Sequence, residues 1–170
     1  MAYAEASTEP KQNVGVESPS TDPSQKTHIG WIENAGITLQ GVDGKERTIV
    51  LSAKVDTGAN TSSLHARGIK IVSRNGREIA RFTFDWGTVK FESEAPLQKE
   101  KRVKSSDGES EERQFIEVEM CVGNRKGRLL VSLNDRGTMR YPLILGRHYL
   151  ENDFLVDPKN QFLLGNPNCR

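Results

Sequence analysis

Two cysteines in 170 residues are too few to form a disulfide framework, and they stand far apart, at Cys121 and at Cys169 beside the C-terminus. Both are expected to be reduced and chemically bland. No apolar run is long enough to span a membrane, so a soluble chain is expected, and no phosphate-cradling loop ending in Gly-Lys is present. Charge of one sign is missing too. With 24 basic against 23 acidic residues the formal net charge is +1, which provides no electrostatic footprint for nucleic acid or an anionic membrane; neither partner is expected. His28, His65 and His148 are isolated, no H-E-x-x-H occurs, and neither cysteine stands in a ligand-like pair. No metal and no cofactor is therefore expected. His65, close downstream of Asp56, reads as a surface or hydrogen-bonded structural histidine.

What is present is one carboxylate placed in a turn of small residues. The run from Arg47 to Val55 has the β-branched and apolar content of a strand entering the interior, and Asp56-Thr57-Gly58-Ala59 follows it directly. Gly58 supplies the freedom a sharp turn needs. Thr57, Thr61, Ser62 and Ser63 offer hydroxyls and the turn offers backbone N–H groups, both able to hold a carboxylate in its ionised form. Asp56 is the candidate reactive group. The plain alternative is an Asp-Thr-Gly turn in which Asp56 caps its own backbone.

Residues 1–27 are rich in Ser, Thr, Pro, Glu, Gln and Asn and lack aliphatic periodicity, so a disordered tail is expected there. Ala2-Tyr3-Ala4 has the A-x-A form of a signal cleavage site without the basic and apolar parts. A cytoplasmic chain is expected, or a periplasmic one if a leader precedes it. Residues 28–164 read as one domain, with 165–170 as a C-terminal tail; 35% hydrophobic content suffices for one core. Asp43-Gly44 and Asn75-Gly76 mark hairpins, and Gly123 to Gly127 separates two further strands. Ser93 to Glu112, dominated by charge, reads as a long arm or loop. Leu143 to Leu145 form a short buried strand, and Arg147 to Asn152 leave room for one or two helical turns. Many short strands and almost no helix predict an all-β fold, a closed barrel of short strands.

Asp56-Thr57-Gly58-Ala59 together with Ile144-Leu145-Gly146, followed by Arg147 and Leu150, resembles the retropepsin-like aspartic proteases. The likeness extends to a bacterial branch often labelled "ATP-dependent zinc protease", through Ala53 to Ala59, Ser62 to Ala66, Arg102 to Gly108, Leu133-Asn-Asp-Arg136, Met139 to Pro142, Leu145-Gly-Arg147 and Val156-Asp-Pro158. The resemblance implies a retropepsin-like barrel with one short helix near the C-terminus. It implies that Asp56 is catalytic, that Thr57, Gly58 and Ala59 support its turn, and that Ile144, Leu145, Gly146 and Arg147 form the scaffold beneath. The branch's association with ATP-grasp peptide ligases, similar to an enzyme adding glutamates to a ribosomal protein, makes such a ligase or its product a conceivable partner.

Peptide hydrolysis by carboxylates needs one group to deprotonate water and a second, still protonated, to polarise the carbonyl. Aspartic proteases are the standard example of such a dyad. One Asp-Thr-Gly occurs in this chain, so catalysis predicts a twofold homodimer with an Asp56 from each subunit at the axis, acting on a peptide or protein. Four residues after the catalytic Asp the viral enzymes have a second Asp, whereas this chain has Asn60. Asp135 or Asp157 is then expected to replace it as the partner of Arg147. A second function class remains: a non-catalytic module of the same fold that binds a peptide or regulates a ligase.

Overall fold

The computed structural model describes residues 26–104 and 108–170. The expected tail therefore lies outside the described residues, apart from Lys26 and Thr27. Strand β1, Thr27–Gly30, opens one residue before the expected start of the domain, and β2, Ile32–Gln40, and β3, Glu46–Val55, follow as an antiparallel pair in continuous register from Ile32↔Lys54 to Gln40↔Glu46. Alternation explains the pairing. In β3, Leu51, Ala53 and Val55 are buried while Val50 and Lys54 face out, the two-residue period of a half-buried strand. Asp43 closes the connecting turn: its carboxylate accepts the Lys45 N–H at 3.2 Å and pairs with Arg47 at 2.6 Å.

Strand β4, Ser62–His65, is buried at all four positions. Then β5, Arg67–Arg74, and β6, Arg77–Trp86, form the expected hairpin. Asn75 and Gly76 adopt φ of 53° and 73°, the left-handed pair that a two-residue turn requires. The chain continues through β7, Val89–Lys104, β8, Ser110–Val122, β9, Arg125–Asn134, and β10, Leu143–Leu145, to a single helical turn α1, Arg147–Leu150, and β11, Phe154–Asp157.

Six strands close on themselves in the order β2-β3-β10-β4-β9-β8, the ring completed by pairing of Ala35–Thr38 with Glu119–Val122. Closure removes the free edges that an open sheet would expose. The pairs β10–β3 and β4–β9 are parallel, and the short β10 is inserted between β3 and β4, which lie far before it in the chain. Ile37, Ala53, Leu64, Ile116, Val131, Leu143 and Leu145 are fully buried in the core, each larger side chain contributing roughly 1.5–3 kcal/mol of transfer free energy. From β8 the sheet extends outward through β7, β6 and β5, while β1 and β11 make a separate parallel pair.

Two expectations are corrected. The segment from Ser93 to Glu112, expected as a long arm or loop, is not a loop; β7 and β8 pair through it, from Leu97↔Ile116 to Lys104↔Ser110, with a register shift between Leu97 and Lys99. Its strands between Gln98 and Arg102 and between Ser110 and Glu112 are exposed, so backbone pairing rather than an apolar face organises them. The cysteines are not free either: Cys121 and Cys169 form a disulfide with Cα atoms 5.5 Å apart. The C-terminal segment turns back over the barrel, with the Asn168 N–H donating to the Gly123 carbonyl at 2.8 Å. Gly36, in register with Cys121, leaves the space the bridge fills, since a Cβ there would overlap both sulfurs.

Candidate active site

Asp56 stands where β3 ends, with its backbone held by strands on both sides. Val55 N–H donates to the Trp31 carbonyl at 2.9 Å, Asp56 N–H to the Leu145 carbonyl at 2.9 Å, and Ala59 N–H to the Asp56 carbonyl at 3.2 Å. The carboxylate Oδ1 accepts the Gly58 N–H at 3.0 Å. The approach is close: a Cβ on Gly58 would lie 3.1 Å from that oxygen. The side chain is 30% exposed and lies 3.7 Å from Lys54 Nζ, an ion pair that solvent screening weakens. Asp56 is thus fixed by its turn and still partly open to solvent.

The segment 144–147 packs against this turn from below. Gly146 N–H donates to Ser62 Oγ at 3.0 Å, and a Cβ at Gly146 would strike the Thr61 carbonyl carbon at 2.6 Å, so the turn and the scaffold touch backbone to backbone. The first N–H groups of α1, which have no partner within a helix, are taken up by the turn: Arg147 N–H donates to the Ala59 carbonyl at 2.8 Å and His148 N–H to the Asn60 carbonyl at 3.1 Å. Leu143 and Leu145 are fully buried, and Ile144 is half-buried.

Arg147 clamps the turn across its width. Nη1 donates to the Thr57 carbonyl at 2.8 Å, and Nη2 donates to Asn60 Oδ1. The expectation that Asp135 or Asp157 replaces the missing carboxylate is corrected, because Asn60 itself is the acceptor. An amide oxygen meets the guanidinium geometrically without supplying a charge. Asp135 instead accepts the Gly137 N–H at 2.9 Å and Arg67 Nε at 3.2 Å. Asp157 accepts Asn160 Nδ2 at 2.7 Å and the Lys159 N–H at 2.8 Å. These bonds hold both carboxyls below the ordinary range, through the Gly137 N–H foremost at Asp135 and the Asn160 amide foremost at Asp157.

Sequence reasoning left open whether His65 is at the surface or hydrogen-bonded within, and missed the burial of Arg136. His65 is fully buried, and its Nδ1 accepts the Arg136 N–H at 2.9 Å, so the ring hydrogen resides on Nε2 and is donated to Asp85 Oδ1 at 2.8 Å. It is hydrogen-bonded and structural rather than at the surface. Arg136 is buried, 5% exposed, with Nε donating to the Tyr141 carbonyl at 2.9 Å. Burial pulls its guanidinium below the usual arginine range, Arg113 adds to that, and the carboxylate of Asp56 opposes it. Leu133-Asn-Asp-Arg136 is visible as a motif in the sequence, but its burial is set by pairing of β4 with β9, remote in sequence.

Residues 28–167 match the model of the RimB-like family, described as retropepsin-like aspartic endopeptidase RimB. The chain belongs to this RimB-like family. The family and the one resembled by the two sequence motifs are in agreement. Curated relatives named "Probable alpha-L-glutamate ligase" match as well. The protein of Shewanella pealeana is 34% identical over 119 residues, covering 68% of this chain and 26% of the relative; that of Desulfotalea psychrophila is 31% identical over 120 residues, covering 68% and 26%. The RimB-like chain spans about a quarter of the length of these ligase-named relatives. A solved structure from Legionella pneumophila, of a protein of unknown function, superposes with a TM-score of 0.65 at 29% identity, over 80% of this chain and 96% of that one.

Other features of the RimB-like chain lie apart from Asp56. A cavity of about 570 Å³ is lined by Leu39, Ser93, Ala95, Pro96 and Val118 among others and shares no lining residue with the Asp56 turn. Among the described residues no group of three or more His, Cys, Asp or Glu is placed to hold a metal ion, and no helix is long and apolar enough to cross a membrane.

Proposed function

We propose that this chain is an aspartic-type endopeptidase in which Asp56 and its copy from a second subunit form the catalytic dyad. The observation that carries the reading is the Asp56 turn: a carboxylate at a strand end, its Oδ1 on the Gly58 N–H, with its turn clamped by Arg147. Rigid placement of a reacting group is what catalysis by positioning requires. The family description supports the reaction class.

In the reaction, the ionised member of the dyad takes a proton from water as the oxygen attacks the scissile carbonyl carbon. The protonated member hydrogen-bonds the carbonyl oxygen, giving a tetrahedral diol. Return of a proton to the amide nitrogen breaks the C–N bond and releases an amine and a carboxylic acid. Two nearby carboxylates suit this because they resist ionising together, and they titrate as one coupled unit.

The ligase-named relatives support a substrate class. A domain like this one occupies about a quarter of proteins named for joining α-L-glutamate, so peptides bearing α-linked glutamates are the substrates we propose, with an ATP-grasp ligase as functional partner. The same observation favours a second reading, a non-catalytic module that holds or regulates a ligase. Purified protein and an Asp56→Asn variant, incubated with peptides ending in or lacking glutamate runs from acidic to neutral pH, separate the two. Cleavage lost in Asp56→Asn, sensitive to pepstatin and indifferent to a chelator, is expected; a folded wild-type dimer that cleaves nothing while binding a ligase moves the assignment to the second reading.

A further inference from the structure

We propose that Lys54 is a specificity-determining residue of the Asp56 site, its ammonium receiving the side-chain carboxylate of an acidic residue beside the scissile bond. The proposal rests on the peptidase reading for its cleavage assay, and on contact and strand register for its geometry. Lys54 and Asp56 stand two residues apart at the end of β3, so their side chains leave the same face. Lys54 Nζ lies 3.7 Å from Asp56 Oδ2, beyond the roughly 2.7–2.9 Å of a charge-assisted hydrogen bond. The Lys54 side chain is 46% exposed, and an ammonium carries three donors. It therefore neighbours the reactive carboxylate without being consumed by it.

Register carries the face of Lys54 across the sheet. Lys54 pairs with Ile144, Ile144 with Ser63, Ser63 with Ser132, Ser132 with Phe115 and Phe115 with Lys99, and residues directly opposite on neighbouring strands share a face. The row thus leads from the Asp56 turn over β10, β4, β9 and β8 to β7. Its middle is buried at Ser63, Ser132 and Phe115, and its two ends are cations. Lys99 is exposed, its Nζ 5.0 Å from the centre of the Phe115 ring. In the next row of that face Lys101 pairs with Arg113, whose guanidinium meets Glu111 at 3.0 Å. None of the six residues of the first row is acidic. In a chain whose charges otherwise balance, 24 basic against 23 acidic, a row with a cation at each end fits an acidic peptide by charge complementarity.

Asp56 decides which of the two cations reads the residue beside the scissile bond. A second carboxylate brought next to an ionised Asp56 is repelled. An ammonium 3.7 Å from Asp56 offsets that repulsion and attracts the incoming carboxylate at the same time. Lys99, five strand spacings away or on the order of 24 Å along the sheet, is too far to act on the same side chain.

The test compares wild type with Lys54→Met, Lys54→Gln and Lys54→Arg, each checked for folding by circular dichroism and thermal midpoint. Two peptides are used, one ending in a glutamate run and an isosteric copy with glutamine in its place. The first readout is the ratio of kcat/KM for the two peptides. The second is the ratio of their affinities for Asp56→Asn, with and without Lys54→Met, by fluorescence anisotropy. Wild type is expected to favour glutamate by about five- to tenfold, less at high salt. Lys54→Met and Lys54→Gln are expected to bring the ratio close to one, and Lys54→Arg to keep most of it. A ratio within one variant does not depend on how much activity that variant has lost, so a merely structural role leaves it unmoved.

A glutamate preference that persists unchanged in the folded Lys54→Met and Lys54→Gln proteins would overturn the proposal, as would a wild type that does not distinguish the peptides. Where a variant cleaves too slowly to give a ratio, the affinity ratio decides. If wild type cleaves neither peptide but the affinity ratio collapses with Lys54→Met, the peptidase reading falls while Lys54 recognition stands. If wild type cleaves and neither ratio moves, Lys54 recognition falls alone.

Discussion

At the scale of single residues, the polar groups of this chain divide into those that hold backbone and those left open to solvent. Glu33 is of the first kind: fully buried, it accepts the N–H groups of Gly30 at 2.8 Å and Leu163 at 2.9 Å through Oε1 and of Leu164 at 3.2 Å through Oε2, tying the C-terminal segment to β2. Asp56 is of the second. Asp85 stands between them, and it titrates. Its bond to His65 is the main cause that holds the carboxyl below the ordinary range, with Arg67 adding to it and partial burial opposing. A carboxyl depressed in the folded state contributes stability that is fully present above its unfolded value, roughly 4, and is lost as pH falls through the folded value. Urea unfolding of wild type between neutral pH and pH values below that range should therefore show stability falling with acid, and Asp85→Asn should flatten that part of the slope. An unchanged slope in the variant would remove Asp85 from the acid response. The same residues show what a sequence conceals. Asp56 was legible because its turn is local, an apolar strand followed by Asp-Thr-Gly. Arg136 and Asp85 were not, because the strands that bury and pair them with His65 are far apart along the chain.

At the scale of elements, the hairpins marked by Asp43-Gly44, Asn75-Gly76 and Gly123 are where sequence chemistry predicts them, since left-handed backbone at Gly44, Asn75, Gly76 and Gly123 restricts which residues fit. The β7–β8 hairpin was not legible. Its outer half is exposed on both strands, so the apolar alternation that betrays a strand is absent although the backbone pairs normally. The disulfide escaped for a related reason: Cys169 reaches Cys121 only because the C-terminal segment recrosses β8 and Gly36 makes room. Closing a loop with a sequence separation of 48 residues removes denatured-state entropy equivalent to about 4 kcal/mol in the chain-entropy picture. Reduction, or Cys169→Ser, is expected to lower the thermal midpoint and to shift the urea transition without abolishing the barrel, whose core does not include the bridge. A midpoint unmoved by reductant, with both thiols then alkylated, would show that hydrogen bonds, those to Glu33 and from Asn168 to Gly123 among them, hold the tail without the bridge.

At the scale of the whole molecule, the proposed peptidase reading assigns each chain half of a catalytic pair. Each chain carries one Asp-Thr-Gly, and one carboxylate cannot be both base and acid toward the same carbonyl in the same step. A dyad shared across a twofold axis makes activity depend on both subunits at once, which a mixing experiment reads directly. Wild type and Asp56→Asn, combined in equal amounts and allowed to exchange, should retain about a quarter of the activity of an all-wild-type sample of the same total concentration, because only the wild-type pairs have two ionisable carboxyls. Independent active monomers would retain about half, and a mixed dimer competent with one aspartate would retain more. Dilution separates the cases further. Activity per chain should fall on dilution in step with the dimer fraction measured by sedimentation, since the proposed dyad needs both subunits. Activity per chain that stays constant while sedimentation reports monomers would place the second acid within the same chain.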